Sequence, residues 1–101
     1  MYIKLMADHC STGIWDLDGR PLDLEEIDEI PLWLKNMITE WNNTYDRFSL
    51  RDDFDLKKFS EDGLALAVKL KQNTPDNWMI FYFDEFKAIV DSNEVFLFEV
   101  Y

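Results

Sequence analysis

Three short stretches carry side chains that could do chemistry. The first is Asp8-His9-Cys10. A thiolate nucleophile needs a base within hydrogen-bond reach and a third group to orient that base. The chain has one histidine and one cysteine, side by side, and adjacent residues seldom face each other in that way. Loop residues without chemistry are the expected reading. The second stretch, Asp16-Leu17-Asp18-Gly19, opens like a calcium loop. An EF-hand places its glycine at the sixth position and a bidentate glutamate at the twelfth. Here the glycine comes fourth, counted from Asp16, so the frame fails and no metal site is expected. The third, Asp84-Glu85, ends an apolar run. Successive residues of an extended chain point apart, so a solvated strand end or turn is expected rather than a carboxylate pair. The three glycines are too scattered for a phosphate-binding loop. No cofactor and no enzymatic activity are expected. A small hydrolase or metal-dependent enzyme using His9, Asp16 and Asp18 remains the alternative.

The elements that must position these residues are organised around Trp78-Met79-Ile80-Phe81-Tyr82-Phe83, the longest unbroken apolar run. Too short for a helix and bounded by polar residues, it reads as a central strand buried on both faces. Residues 2–7 read as a first strand, with Ile3, Leu5 and Ala7 on one side, and residues 14–18 as a short edge strand. Pro31 is suited to the first turn of a helix. After it, Leu34, Met37, Ile38, Trp41, Tyr45 and Phe48 recur three and four apart, which is one apolar stripe of an amphipathic helix. Asn42-Asn43-Thr44 are poor helix formers, so its last turn is expected to fray.

A second helix is expected to start at Ser60 as N-cap, with Phe59 packing on Leu64 as a staple and Asn73 and Pro75 ending it. Leu64, Ala67, Val68 and Lys71 would share one side of it, with Leu66 and Leu70 beside them. Residues 86–90 and 95–101 read as two further strands joined by a turn at 91–94. The resulting expectation is one α+β domain over residues 1–101: a mostly antiparallel sheet of about four strands with two helices packed on one face.

Charge narrows the class of partner. The 101 residues carry a formal net charge of -11, with 48% hydrophobic residues. That apolar content belongs to a folded domain. The charge disfavours nucleic-acid backbones and anionic membrane surfaces, and favours a basic protein partner. The N-terminus has no basic leader followed by a long apolar stretch, so no signal peptide is expected. The single cysteine excludes an internal disulfide and fits a reducing cytoplasm.

The acids are concentrated. Asp8, Asp16, Asp18, Asp23, Glu25, Glu26, Asp28 and Glu29 face Arg20 as the only base in that stretch. Leu22, Leu24, Ile27 and Ile30 are interleaved and should pin the segment to the body. Trp15 and Trp33 border it, and exposed tryptophans beside carboxylates are typical of binding hot spots. The alternative is that both tryptophans pack beneath the segment.

Ile3-Lys4-Leu5-Met6-Ala7-Asp8, Trp15-Asp16-Leu17-Asp18, Trp41 with Tyr45-Asp46, Gly63-Leu64-Ala65-Leu66-Ala67 and Tyr82-Phe83-Asp84-Glu85 occur in this order. Together they resemble small acidic immunity proteins of bacterial contact-dependent growth inhibition and polymorphic toxin systems. Where relatives tend to carry an Ile-Asp-Pro segment, this chain has Pro21-Leu22-Asp23-Leu24. The resemblance implies binding and neutralising a cognate toxin domain, and no catalytic residues. The expected partner-binding residues are Trp15, Asp16, Asp18, Asp23, Glu25, Glu26, Asp28, Glu29 and Trp33. A non-catalytic acidic scaffold subunit is a further alternative, as is an interface on residues 95–101.

Overall fold

The computed structural model describes residues 1–90 and 93–101. Strands β1 (Tyr2–Leu5), β2 (Ile14–Trp15), β3 (Met79–Phe83) and β4 (Leu97–Val100) form one sheet in the order β2-β1-β3-β4. The β1–β2 and β3–β4 pairs are antiparallel, whereas β1 and β3 run parallel. A parallel pair needs a long crossover, and here it contains helices α1 (Leu32–Phe48) and α2 (Leu56–Gln72). The fold is therefore α+β, with a mostly antiparallel sheet and a parallel pair at its centre.

The side-chain period of two decides which face is covered. Ile3, Leu5, Ile80 and Tyr82 align in register on the inner face and are fully or almost fully buried. Each such burial stabilises the fold by about 1.5–3 kcal/mol. Met79, Phe81 and Phe83 point the other way and are only half-buried. β3 is thus central, between β1 and β4, but apolar burial is complete on one face and not on both.

The α1 stripe buries Leu34, Ile38 and Trp41 as expected, while Met37 and Phe48 remain 41% and 40% exposed. The helix does not fray at Asn42, which is buried and tied to the 8–13 loop.

Helix α2 starts earlier than Ser60. Asp55 is its N-cap, accepting from the Lys58 backbone N–H at 3.0 Å. Ser60 lies inside the helix, where its carbonyl accepts the Tyr82 hydroxyl at 2.7 Å. Phe59 does not staple Leu64; its ring lies on Trp41. The inward face is Phe59, Gly63, Leu66, Ala67 and Leu70, and Leu64 and Val68 point partly to solvent. Gly63 explains the rotated phase. A Cβ there would sit 2.5 Å from Trp41 Cζ2 and would also meet the Tyr82 hydroxyl. A residue with no side chain marks the closest approach, and hydrophobic periodicity cannot register it.

The expected strand at 86–90 is instead a short helix, α3 (Glu85–Val90). Asp84 nucleates it: its Oδ1 accepts from Lys87 N at 3.1 Å and its carbonyl from Ala88 N at 3.1 Å. β4 consequently pairs with β3 and not with residues 86–90. Of the expected turn at 91–94, residues 91 and 92 lie outside the described residues.

Candidate functional site: an acidic segment and the helix pair beside it

The segment between β2 and α1 is built as an anchored strap. Leu24, Ile27 and Ile30 enter the core, with Leu22 packed partly against it. The residues between them, Asp23, Glu25, Glu26, Asp28 and Glu29, all face solvent. A single 3-10 turn spans Leu24–Glu26, capped by Asp23 Oδ1, which accepts from Glu25 N at 3.1 Å. Lys35 of α1 donates through Nζ to the Glu25 carbonyl at 3.2 Å, so the strap is fastened to the helix as well as to the core. None of its carboxylates forms a salt bridge among the described residues. The negative field of the strap is therefore directed outward and is not spent on internal pairing.

The earlier acids divide into two roles. Asp16 Oδ1 accepts from both Asp18 N and Arg20 N at 2.9 Å, closing a tight turn in which Gly19 takes φ +85. Asp16 is thus a turn former, and Asp18 is the exposed acid at its tip. Trp15 is half-buried, and its indole N–H donates to the Met6 carbonyl at 2.9 Å. Trp33, in the first turn of α1, is 48% exposed. About half of its surface is open to solvent, whereas Trp15 is tied to the strand β1 side of the sheet through Met6.

The structure also brings together residues that no local spacing announces. The Asn42 side chain accepts from Asp8 N at 3.0 Å and Ser11 Oγ at 3.1 Å and donates to the Ser11 carbonyl at 2.8 Å, clamping the 8–13 loop onto α1. His9 Nδ1 then lies 2.9 Å from Asp46 Oδ1, and His9 Nε2 lies 3.3 Å from Ser49 Oγ. Carboxylate, imidazole and hydroxyl follow in the order of a nucleophilic triad. The setting opposes that chemistry. Ser49 is the C-cap of α1, at the negative end of the helix, where a developing oxyanion is disfavoured. His9 and Asp46 are each 41% exposed. This cluster reads as a clasp between the loop and α1, and it includes neither Cys10 nor Asp16 nor Asp18.

Behind the clasp, the Tyr45 hydroxyl donates to Glu85 Oε1 at 2.8 Å. Burial, followed by the hydrogen bond and charge of Glu85, pushes the Tyr45 hydroxyl pKa well above its ordinary range. Among the described residues, no three or more of His, Cys, Asp and Glu come together as a metal site, and no helix is long and apolar enough to cross a membrane.

On the other flank of α1 an open groove of about 520 Å³ runs between α1 and α2. Trp41 and Phe59 lie at its base, Met37 and Ala65 on its walls, and Glu40 and Asp62 on opposite helices. The indole N–H of Trp41 donates to the Phe59 carbonyl at 3.1 Å, fixing the base.

The exposed acids of the anchored strap and the open apolar groove thus lie on two flanks of the same helix, α1. Residues 1–85 match the family model described as Serratia CdiI immunity protein-like, and the chain belongs to that family. The match ends at Glu85, the first residue of α3. Comparison with curated proteins finds no match to the chain.

Proposed function

We propose that the chain is a cytoplasmic, non-enzymatic immunity protein that binds a cognate toxin domain, a nuclease with a cationic cleft, through the acidic strap. Family membership supports the immunity role. The observation that carries the interface is the strap itself: exposed carboxylates from Asp18 to Glu29 without ion pairs among the described residues, on a backbone fixed by Leu24, Ile27 and Ile30. A nuclease cleft is shaped to attract phosphates, and a preorganised row of carboxylates presents the same sign of charge at little ordering cost. Trp33 supplies an aromatic contact at the edge of the row. Asp16 and Trp15 act there mainly by holding the turn and the sheet edge.

The experiment is surface plasmon resonance of the chain on its cognate toxin domain, together with a nuclease assay of that domain. Stoichiometric binding that abolishes cleavage is the expected result. Tight binding that leaves the toxin active, or no binding, overturns the reading. Binding that survives neutralisation of the strap but is lost on disrupting Leu97–Val100 would move the interface to the edge strand, where main-chain groups can accept a partner strand.

A further inference from the structure

We infer that the groove between α1 and α2 is the apolar centre of the same interface. It receives one large apolar side chain of the toxin that is followed or preceded by an arginine or lysine. The inference rests on the immunity reading above. It starts from what the strap lacks. Leu24, Ile27 and Ile30 are all turned into the core, so the outward side of the strap from Asp23 to Glu29 offers a partner a row of carboxylates and no large apolar centre. Stable interfaces place their strongest contacts in a dehydrated apolar centre inside such a rim.

The groove meets that need. Its base is preorganised, because Trp41 and Phe59 stack with ring centroids 4.7 Å apart and planes 4° from parallel. Its wall is adaptable, because Met37 is unbranched and 41% exposed. Its volume of about 520 Å³ lies in the range of clefts that take a drug-sized ligand, which is ample for one large apolar side chain. Trp33 and Met37 are one turn apart on α1, so they share a face. That exposed face joins the groove to the strap, within reach of one partner.

Charge selects the occupant. Glu40 from α1 and Asp62 from α2 flank the groove. Asp62 is held by Lys58 at 3.1 Å, while the Glu40 carboxylate has no ion pair among the described residues. A cation beside the inserted side chain would therefore find an acceptor at Glu40. Lys69, also on the rim, lies about two turns further along α2 and orients the cation toward the opposite end. A second copy of the chain is a poor occupant, since each carries a net charge of -11 and like fields repel. Anionic small molecules are disfavoured by the same field.

The test uses the full chain and the cognate toxin domain in surface plasmon resonance, with folding checked by circular dichroism. Ala65→Arg fills the groove from an exposed helix position and adds the wrong charge. Glu40→Lys reverses the selecting charge without filling space. Leu50→Arg, at a position 88% exposed in the α1–α2 connection, is the control for charge alone. Ala65→Arg is expected to weaken binding at least about tenfold, mainly through faster dissociation, and Glu40→Lys to weaken it in the same direction. Leu50→Arg is expected to dissociate at the rate of the unaltered chain. If the unaltered chain binds and both groove variants stay within about twofold of it, the groove inference fails while the immunity reading stands; a twofold change is within ordinary surface effects. If the unaltered chain does not bind the toxin, both fail. A dimer in sedimentation that Ala65→Arg dissolves would assign the groove to a second copy and overturn the inference.

Discussion

Trp41 of α1 and Phe59 of α2 lie in a face-to-face stack, and the Trp41 indole N–H donates to the Phe59 carbonyl. One pair therefore closes the helix hairpin by ring contact and by hydrogen bond. Tyr45, Phe54 and Tyr82 pack around it, and Gly63 gives it room. The same pair forms the base of the groove, so stability and the proposed recognition surface share one contact.

Removing that contact should be severe. Trp41→Ala is expected to cost about 3–5 kcal/mol, the usual loss for a large core aromatic. That is a large share of the roughly 5–15 kcal/mol that holds a small domain folded. Urea unfolding monitored by circular dichroism measures it. A loss below about 1 kcal/mol would mean that the stack contributes little and that the hairpin is held by the other aromatics.

Asn42 should be nearly as sensitive in a more local way. Asn42→Ala removes the acceptor for Asp8 N and Ser11 Oγ and the donor to the Ser11 carbonyl. Leaving such groups unsatisfied costs about 1–3 kcal/mol. Because these bonds all fasten the 8–13 loop to α1, hydrogen exchange should rise in that loop before it rises in β3. Uniform acceleration through the sheet would instead show that Asn42 supports the whole fold.

The parts of this architecture that could be read from sequence are those whose signals are local. Met79–Phe83 is legible because an unbroken apolar run between polar boundaries has few other uses. The strap is legible because Leu24, Ile27 and Ile30 alternate with acids at a spacing that leaves one side wet. Residues 86–90 are a short apolar run, and periodicity does not separate strand from helix at that length. What separates them is Asp84, whose carboxylate caps the following turn. Ser60 imitates an N-cap because Glu61 and Asp62 follow it, yet Asp55 caps first and Ser60 is consumed in the hydrogen bonds of Tyr82 and Phe86. The His9–Asp46–Ser49 clasp joins residues 37 and 40 positions apart. The parallel pairing of β1 with β3 is similarly non-local, and neither leaves a mark in any short window.

Alkaline conditions should loosen the core through Tyr82. Burial, then the charge of Asp84, pushes its hydroxyl pKa well above its ordinary range; Tyr45 moves the same way. A raised folded-state pKa means that above the unfolded value of about 10 the unfolded chain binds fewer protons than the folded one. Stability from these groups is therefore full below about pH 10 and falls as pH rises beyond it. Tyr82→Phe should lower stability at neutral pH by about 1 kcal/mol through the lost bond to the Ser60 carbonyl, and should flatten the alkaline decline. An unchanged alkaline slope in Tyr45→Phe/Tyr82→Phe would place the titrating groups elsewhere.

The strap should act on association before it acts on contact. Its carboxylates face outward without ion pairs among the described residues, so their field extends toward an approaching cation. At physiological salt that field decays over roughly 8 Å. Asp23→Asn with Glu26→Gln should therefore lower the on-rate for a basic toxin domain, and the loss should shrink as salt is raised. Because Asp23 also caps the 3-10 turn, asparagine is the proper replacement, since it keeps an acceptor oxygen while removing the charge. Trp33→Ala should act differently. Trp33 carries no charge and stands exposed at the start of α1, so its removal should leave the on-rate and its salt dependence alone and raise the off-rate, with a cost of about 2 kcal/mol if it is a hot spot. Stopped-flow association at several salt concentrations separates the two effects. An on-rate that is the same for the neutralised and unaltered chains at low salt would show that the strap's charge does not guide the encounter. The concentrated acids would then serve the solubility of the chain, and recognition would rest on the groove and Trp33 alone.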